Sequence, residues 1–330
     1  MGLKVVVIGT GFGRRAVAPA YESLGCEVAV VSPRDVAGVS RAVAAPCDLV
    51  SIHSPPFLHL EHVRLAVRHG RHVLCDKPFG RDAAEAREML ELATAAGVLH
   101  FLNFEFRCDP LRKQLKQLLD GGAIGKPLHA SCAMFTSIGR KAPHGWLFEK
   151  DKGGGWIGAF ASHQVDLLHW LFGDIETVSC LSRIDVMARP GREDVGGPLH
   201  DATAEDALTA WFRMKNGVTA SIDTAYSAAV DMPAQIILYG SEGVVQLTHN
   251  AELLLMRPDQ EPERFPVTAC KNPLGLAQER WLAKVCDAVT AKQQIAPDFN
   301  TGLACAGILD AMRAGEPSIS CGPGSYRVIF

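Results

Sequence analysis

Leu3 to Ile8 is a run rich in β-branched residues, and it ends on Gly9-Thr10-Gly11-Phe12-Gly13. That composition suits a parallel strand covered on both faces. A helical pattern follows through Ala16, Val17, Ala20 and Leu24, Gly25 closes it, and a second apolar strand runs from Val28 to Val31. Strand, glycine turn, helix and strand make one βαβ unit. The glycines let the turn close and let backbone N–H groups approach a pyrophosphate, which the helix N-terminus also attracts. Gly9, Gly11, Phe12 and Gly13 are thus candidate dinucleotide-binding residues. The third position of the GxGxxG pattern is Arg14, not glycine or alanine, so the fingerprint is imperfect. Arg14 and Arg15 oppose the helix dipole unless a bound phosphate or plain solvent accommodates them.

Cofactor choice falls just after the second strand, where an NAD enzyme normally offers a carboxylate to the ribose 2′-hydroxyl. This chain offers Ser32-Pro33-Arg34. A hydroxyl and a guanidinium suit a 2′-phosphate, which favours NADP, with NAD the alternative because Asp35 adjoins.

The alternation continues with a strand at Asp48 to Ile52, a helix at Leu58 to His69, a strand at Val73 to Cys75, a helix at Asp82 to Ala96 and a strand at Val98 to Phe101. It predicts a doubly wound parallel sheet. Ser54-Pro55-Pro56 follows the third strand and would shape the floor of a nicotinamide crevice, with His59 beside it. The strand at Val73 ends abruptly in Asp76-Lys77-Pro78. Ligands of open α/β sheets sit beyond the carboxyl ends of the strands, so Lys77 is placed to polarise a substrate oxygen. The plainer alternative is a solvated turn lysine.

At 330 residues, and about 100–200 residues per domain, two domains are expected. A net charge of −3 with 21% charged residues argues against a nucleic-acid surface. No apolar stretch of about 18 residues offers a membrane span, and the N-terminus lacks a signal-like apolar region. The ten cysteines form no CxxC pair or Cys/His cluster, so no metal is expected and the thiols read as reduced in a cytoplasmic protein.

With its glycine loop, Ser54-Pro55-Pro56-Phe57-Leu58-His59 and His69-Gly70-Arg71-His72-Val73-Leu74-Cys75-Asp76-Lys77-Pro78, the chain resembles the glucose–fructose oxidoreductase and inositol dehydrogenase family, Gfo/Idh/MocA. The usual form of the last motif ends Glu-Lys-Pro, and Asp76 is a conservative departure. Arg107-Cys108-Asp109-Pro110, Gly121 to Gly125, and Pro297 to Leu303 extend the resemblance over nearly the whole length. It implies that Lys77 lies beside the nicotinamide and hydrogen-bonds the reacting oxygen, which stabilises a developing alkoxide. It implies, too, homodimers or homotetramers joined through the second domain's sheet.

Past Gly125 the strands lengthen and several join through hairpin signals such as Lys215-Asn216-Gly217 and Gly240-Ser241-Glu242-Gly243. The expected architecture is an N-terminal Rossmann domain over residues 1–123. An open, mostly antiparallel sheet with helices on one face then fills 124–330. Gly153-Gly154-Gly155-Trp156 leads into a helix that carries His163, a candidate general base. In family members that helix usually carries an aspartate four residues before the histidine. Here the position is Ala159. Either Lys77 and His163 suffice, or Asp166 substitutes, or the protein binds dinucleotide and ligand as a non-catalytic sensor. Asn103, Trp146, Trp156 and Asp166 complete the candidate substrate-binding set.

A basic and aromatic loop from Phe135 to Trp156 is a candidate to close over a polar or anionic substrate, with a solvated surface excursion the alternative, and a polar insertion from Arg189 to Asp206 reads as a mobile lid or a subunit contact. Two amphipathic segments, Leu274 to Ala291 and Thr301 to Ala314, read as packing helices. The reading this supports is hydride transfer between a nicotinamide and a sugar, polyol or related hydroxyl or carbonyl compound. Redox-neutral glycoside cleavage with a bound cofactor is a further alternative.

Overall fold

The computed structural model describes residues 2–191, 197–249, 251–265 and 273–315. Cys270, Cys321 and part of the polar insertion lie outside the described residues. The first half runs β1 (Lys4–Ile8), α1 (Ala18–Ser23), β2 (Glu27–Val31), α2 (Val36–Ala44), β3 (Leu49–Ile52), α3 (His59–Arg68), β4 (His72–Cys75), α4 (Ala83–Ala95), β5 (His100–Leu102) and α5 (Pro110–Asp120). The five strands pair in parallel in the order β2-β1-β3-β4-β5, so all carboxyl ends open on one edge.

Alternate residues of these strands bury opposite faces. Val6, Ile8, Val50, Ile52 and Val73 pack with Val39, Val63 and Met89 from α2, α3 and α4. Val5, Val7, Leu49, Leu74 and Phe101 pack with Tyr21 of α1 and with Trp281, Leu282 and Val285 from a helix far along the chain. Each such fully buried side chain contributes about 1.5–3 kcal/mol.

The second half runs β6 (Pro127–Phe135), α6 (Ser162–Phe172), β7 (Ile175–Arg183), β8 (Ala188–Pro190), β9 (Leu199–Asp201), β10 (Ala207–Met214), β11 (Thr219–Ala225), β12 (Gln235–Gly240), β13 (Val244–Thr248), β14 (Glu252–Met256), β15 (Glu263–Phe265), α7 (Pro273–Ala291) and α8 (Phe299–Ala314). Eight strands form one sheet in the order β15-β14-β13-β12-β6-β11-β10-β7, with β6 and β11 the one parallel pair between them. The predicted hairpins join β10 to β11 and β12 to β13. One face is core, through Ala130, Cys132, Phe212, Ile222 and Leu238 packed with Val165 and Leu168 of α6. The other exposes Leu181, Trp211 and Tyr239 at 74%, 69% and 39%. The helix that reaches back to the first sheet is α7, while α8 packs between α4 and α6.

Two details depart from the sequence reading. Strand β7, expected from Ile175 to Val186, stops at Arg183, because the Asp185 and Val186 amides turn away to donate to the Asp206 carboxylate at 2.6 and 3.3 Å. The polar insertion is anchored at both ends. Its Arg189 is 1% exposed, pairs with Asp206 at 2.9 Å, donates to Ser227 at 3.0 Å and lies over the Phe148 ring.

Candidate active site

At the exit of β1 the chain must turn against the neighbouring strand. Gly9 takes φ +154°, and a Cβ there would stand 2.6 Å from the His53 carbonyl oxygen, so only glycine fits. Around Gly11, by contrast, a Cβ would meet nothing within 4 Å, so the loop is open on that side. The helix then starts with a wide π-type turn at Gly13–Val17, which has neither a side-chain cap nor an acidic residue in its first turn. Uncapped N–H groups and an open glycine fit a pyrophosphate. Phe12 is 43% exposed and stands edge-on to His53, while Arg14 and Arg15 project into solvent.

Beyond β2, the Ser32 hydroxyl accepts from the Arg34 amide at 3.3 Å, and the Arg34 side chain is exposed without an acceptor among the described residues. Asp35 is engaged elsewhere: its carboxylate caps α2 by accepting from the Gly38 amide at 2.8 Å. After β3, Ser54 is hydrogen-bonded to His62 Nδ1 at 3.0 Å, and Pro55 leads into a short turn. His59, expected beside the cofactor, is fully buried and donates from Nε2 to the Ser54 carbonyl at 2.8 Å. Its ring fixes the loop from beneath and does not line the crevice. Burial lowers its pKa, and burial with His59 as neighbour pushes His62 down to about 4.

The reacting end is organised by Asp76, at the exit of β4. Its Oδ1 accepts from the Lys77 amide at 2.9 Å and from Asn103 Nδ2 at 3.2 Å, and its Oδ2 accepts from His53 Nδ1 at 3.0 Å. His53 Nε2 is hydrogen-bonded to the Ser51 hydroxyl at 2.8 Å, and Ser51 in turn lies 3.3 Å from the Tyr21 hydroxyl. Asn103 also exchanges two hydrogen bonds with Gln278 of α7, at 3.1 and 3.0 Å. Burial alone would raise the Asp76 pKa, but His53, Lys77 and Asn103 outweigh it and hold the carboxyl below its ordinary value. The network fixes the backbone that presents Lys77. It also occupies the Asn103 amide, so the substrate contact expected of Asn103 is replaced by a bracing role.

Lys77 extends from this mount and donates from Nζ to the Ala159 carbonyl at 2.7 Å. Ala159 is one helical turn before His163, so the ammonium and the imidazole share one end of the crevice. That helix is seated by Glu205, whose carboxylate accepts from the Ile157 amide at 3.0 Å and whose carbonyl accepts from the Trp156 amide at 2.8 Å. His163 is 6% exposed, between Phe104 at 5.9 Å and Phe106 at 4.3 Å, and no described residue hydrogen-bonds its ring. Burial, then the charges of Lys77 and Arg112, lower its pKa well below the usual value. It is therefore a neutral imidazole at pH 7.

Trp156 is stacked between Phe160 at 5.2 Å and Tyr226 at 4.3 Å, and donates from Nε1 to Thr224. Trp146 is half-buried in the preceding loop. Asp166 is sealed in a two-pronged ion pair with Arg107, at 2.7 and 3.0 Å, and does not substitute for a carboxylate at position 159. Sequence reasoning passed over His53, Gln278 and Glu105. Glu105, 9% exposed, lies within Coulombic reach of Lys77, and burial pushes its pKa up to about 7 against that charge. Polar residues that follow the ends of β3, β4 and β5 within three positions, at 53, 76, 103 and 105, were the available signal.

The chain matches two family models in tandem: the oxidoreductase family NAD-binding Rossmann fold over residues 3–104, and the GFO/IDH/MocA C-terminal domain over residues 113–246. An uncharacterised oxidoreductase of Synechocystis sp. is 31% identical over 74% of this chain and 71% of its own length. The inositol 2-dehydrogenase of Rhizobium meliloti is 24% identical over 90% of this chain and 83% of its own. The levoglucosan dehydrogenase of Pseudarthrobacter phenanthrenivorans matches at 26% over 54% of this chain and half of its own length. Among solved structures, a levoglucosan dehydrogenase in complex with NADH and L-sorbose superposes with a TM-score of 0.84, at 22% identity, over 95% of this chain and 96% of that one. The chain belongs to the Gfo/Idh/MocA family of NAD-binding oxidoreductases.

Proposed function

We propose that this protein is a dehydrogenase that moves a hydride between a nicotinamide dinucleotide and a secondary alcohol of a sugar or polyol. The observation that carries this reading is Lys77, held rigidly at the strand end by Asp76 and extended to within one helical turn of the neutral His163. A bound nicotinamide would supply the two-electron acceptor. Lys77 would bind the alcohol oxygen and stabilise its developing negative charge, and His163 would orient the hydroxyl and carry its proton. The glycine turn would hold the pyrophosphate, and the stacked Trp156 and Phe160 offer an apolar wall of the kind that sugar rings pack on. Relatives named for inositol and levoglucosan support a polyol or sugar.

Within that activity we favour NADP(H). Arg34 is exposed and free to meet a 2′-phosphate, and the carboxylate that would repel one, Asp35, is committed to its helix cap. The exposed face bearing Leu181, Trp211 and Tyr239 supports assembly of two or four copies through the second sheet. No described helix is long and apolar enough to cross a membrane, and we place the protein in the cytoplasm.

Incubation with oxidised cofactor and a panel of sugars and polyols, followed by product analysis, tests the reading. A carbonyl product formed one-for-one with reduced nicotinamide supports it. Glycoside cleavage without net reduction would favour the redox-neutral route. Tight dinucleotide binding with no hydride exchange over long incubation would favour a sensor.

A further inference from the structure

Glu105 opens the short turn Glu105–Cys108 that leaves β5 at the reacting end of the crevice. Its Oε2 is buried and makes no hydrogen bond, and it has no ion pair with Lys77 or Arg112, whose charges act on it. The flanking residues are all committed to the site: Asn103 braces Asp76, while Phe104 and Phe106 enclose His163. Beside Lys77 and His163 there is thus one buried carboxyl oxygen to which no described residue hydrogen-bonds. Along the His163 helix itself, position 159 is alanine and Asp166 is locked to Arg107.

We propose that Glu105 supplies the carboxyl group of this site, hydrogen-bonding the hydroxyl held by Lys77 and receiving the proton that the alcohol releases. The proposal rests on the dehydrogenase reading above. The alcohol carbon gives its hydride, with both bonding electrons, to the oxidised nicotinamide, and the O–H proton passes by way of His163 or Lys77 to the Glu105 carboxylate. The products are a carbonyl, a reduced nicotinamide and a neutral carboxylic acid, which then releases its proton to water. In reduction the same proton returns to the forming alkoxide.

The neighbouring charges explain the division of labour. Burial, then Lys77 and Arg112, depress the His163 ring, so it can pass a proton but holds one poorly. At Glu105, burial and Asp76 favour the neutral acid while Lys77 and Arg112 oppose them, and the balance lies near 7. From α7, which packs on the same turn, Arg280 and Lys284 act on Cys108 at its far end, as does Lys113 of α5. A proton acceptor works best with its pKa near the operating pH.

The test uses the full chain with Glu105→Gln and Glu105→Asp, each first checked for unaltered dinucleotide binding by fluorescence titration. With whichever sugar or polyol reduces the cofactor, Glu105→Gln should lower kcat about 100-fold and abolish the pH dependence of kcat near neutrality, and Glu105→Asp should restore part of both. A glutamine variant that keeps kcat within about twofold, with the same pH profile, overturns the assignment and leaves the dehydrogenase reading standing. If the wild type oxidises nothing, that reading fails by itself, and Glu105 is judged by infrared difference spectra of wild type against Glu105→Gln. A carboxylic-acid band titrating at about pH 7 and absent from the variant supports Glu105 as a proton-exchanging group. A carboxyl ionised throughout about pH 5 to 8 overturns it.

Discussion

At the nucleotide end of the crevice Arg14, Arg15 and Arg34 stand in solvent and the helix N-terminus is uncapped, whereas at the reacting end Asp76 and Asn103 spend every polar atom on neighbours. On the proposed reading the first region is completed by its ligand, since its exposed cations would gain their counter-charge when phosphate arrives. The second is finished in advance. Its network reaches from Tyr21 through Ser51, His53, Asp76 and Asn103 to Gln278, joining three strand ends to two helices. Binding can tolerate side chains that settle on contact, but hydride transfer requires the polarising group to be in place beforehand. The Lys77 ammonium, the His163 ring and the Glu105 carboxyl lie outside that network, and those are the groups to which chemistry is assigned.

Breaking the braced end should cost the most. Asp76→Ala leaves His53 Nδ1 without its acceptor and removes one of the two acceptors of Asn103 Nδ2, and we expect about 2–4 kcal/mol of lost stability in denaturant melts, with Lys77 displaced as a consequence. A loss of under about 0.5 kcal/mol would mean the network is ornamental.

Titration should expose the next level, with two opposite signs. His59, His62 and His163 are held neutral, with pKa values below the ordinary one and His62 at about 4. Between pH 6.5 and about 4 the unfolded chain therefore binds protons that the native state refuses, and stability declines as pH falls through that window. His62→Asn should flatten the decline by roughly 1–3 kcal/mol. Glu105 runs the other way. Its native pKa of about 7 lies above the ordinary 4.5, so the native state keeps a proton that the unfolded chain releases, and stability falls as pH rises through that interval. Glu105→Gln should stabilise the fold by roughly 1–3 kcal/mol at about pH 8 and very little at about pH 4. Equal effects at the two values would show that Glu105 is ionised in the native protein.

The nucleotide end should respond least. Arg34→Ala is expected to weaken NADPH binding about tenfold, or about 1.4 kcal/mol, and to leave NADH unchanged in matched fluorescence titrations. Equal binding of both cofactors by the wild type would make Arg34 a bystander and NAD the cofactor.

The nucleotide end was legible in the sequence because its function lies in local grammar: a β-branched strand, glycines in register and a helix start occupy consecutive residues. Lys77 was legible for the same reason, as the polar stop of an apolar strand. The brace was not. Its members come from five separate segments, and Gln278 lies 175 residues from the Asn103 it binds. Nothing local marks a glutamine on an amphipathic helix as a partner for a strand end. Likewise, the periodicity of α7 announces an apolar face without saying that the first sheet receives it. Burial was equally hidden: His59, expected beside the cofactor, lies beneath its loop, Arg189 sits inside a segment read as a lid or subunit contact, and Glu105 was passed over.

The most direct test compares wild type with Lys77→Ala for single-turnover reduction of the cofactor, using a sugar or polyol that the wild type oxidises and saturating dinucleotide. We expect the variant to bind the dinucleotide as the wild type does and to transfer hydride about 1000-fold more slowly, the loss of about 4 kcal/mol of alkoxide stabilisation. A variant that transfers hydride at the wild-type rate would contradict the account, because the group that the Asp76 brace positions would then have no part in the reaction.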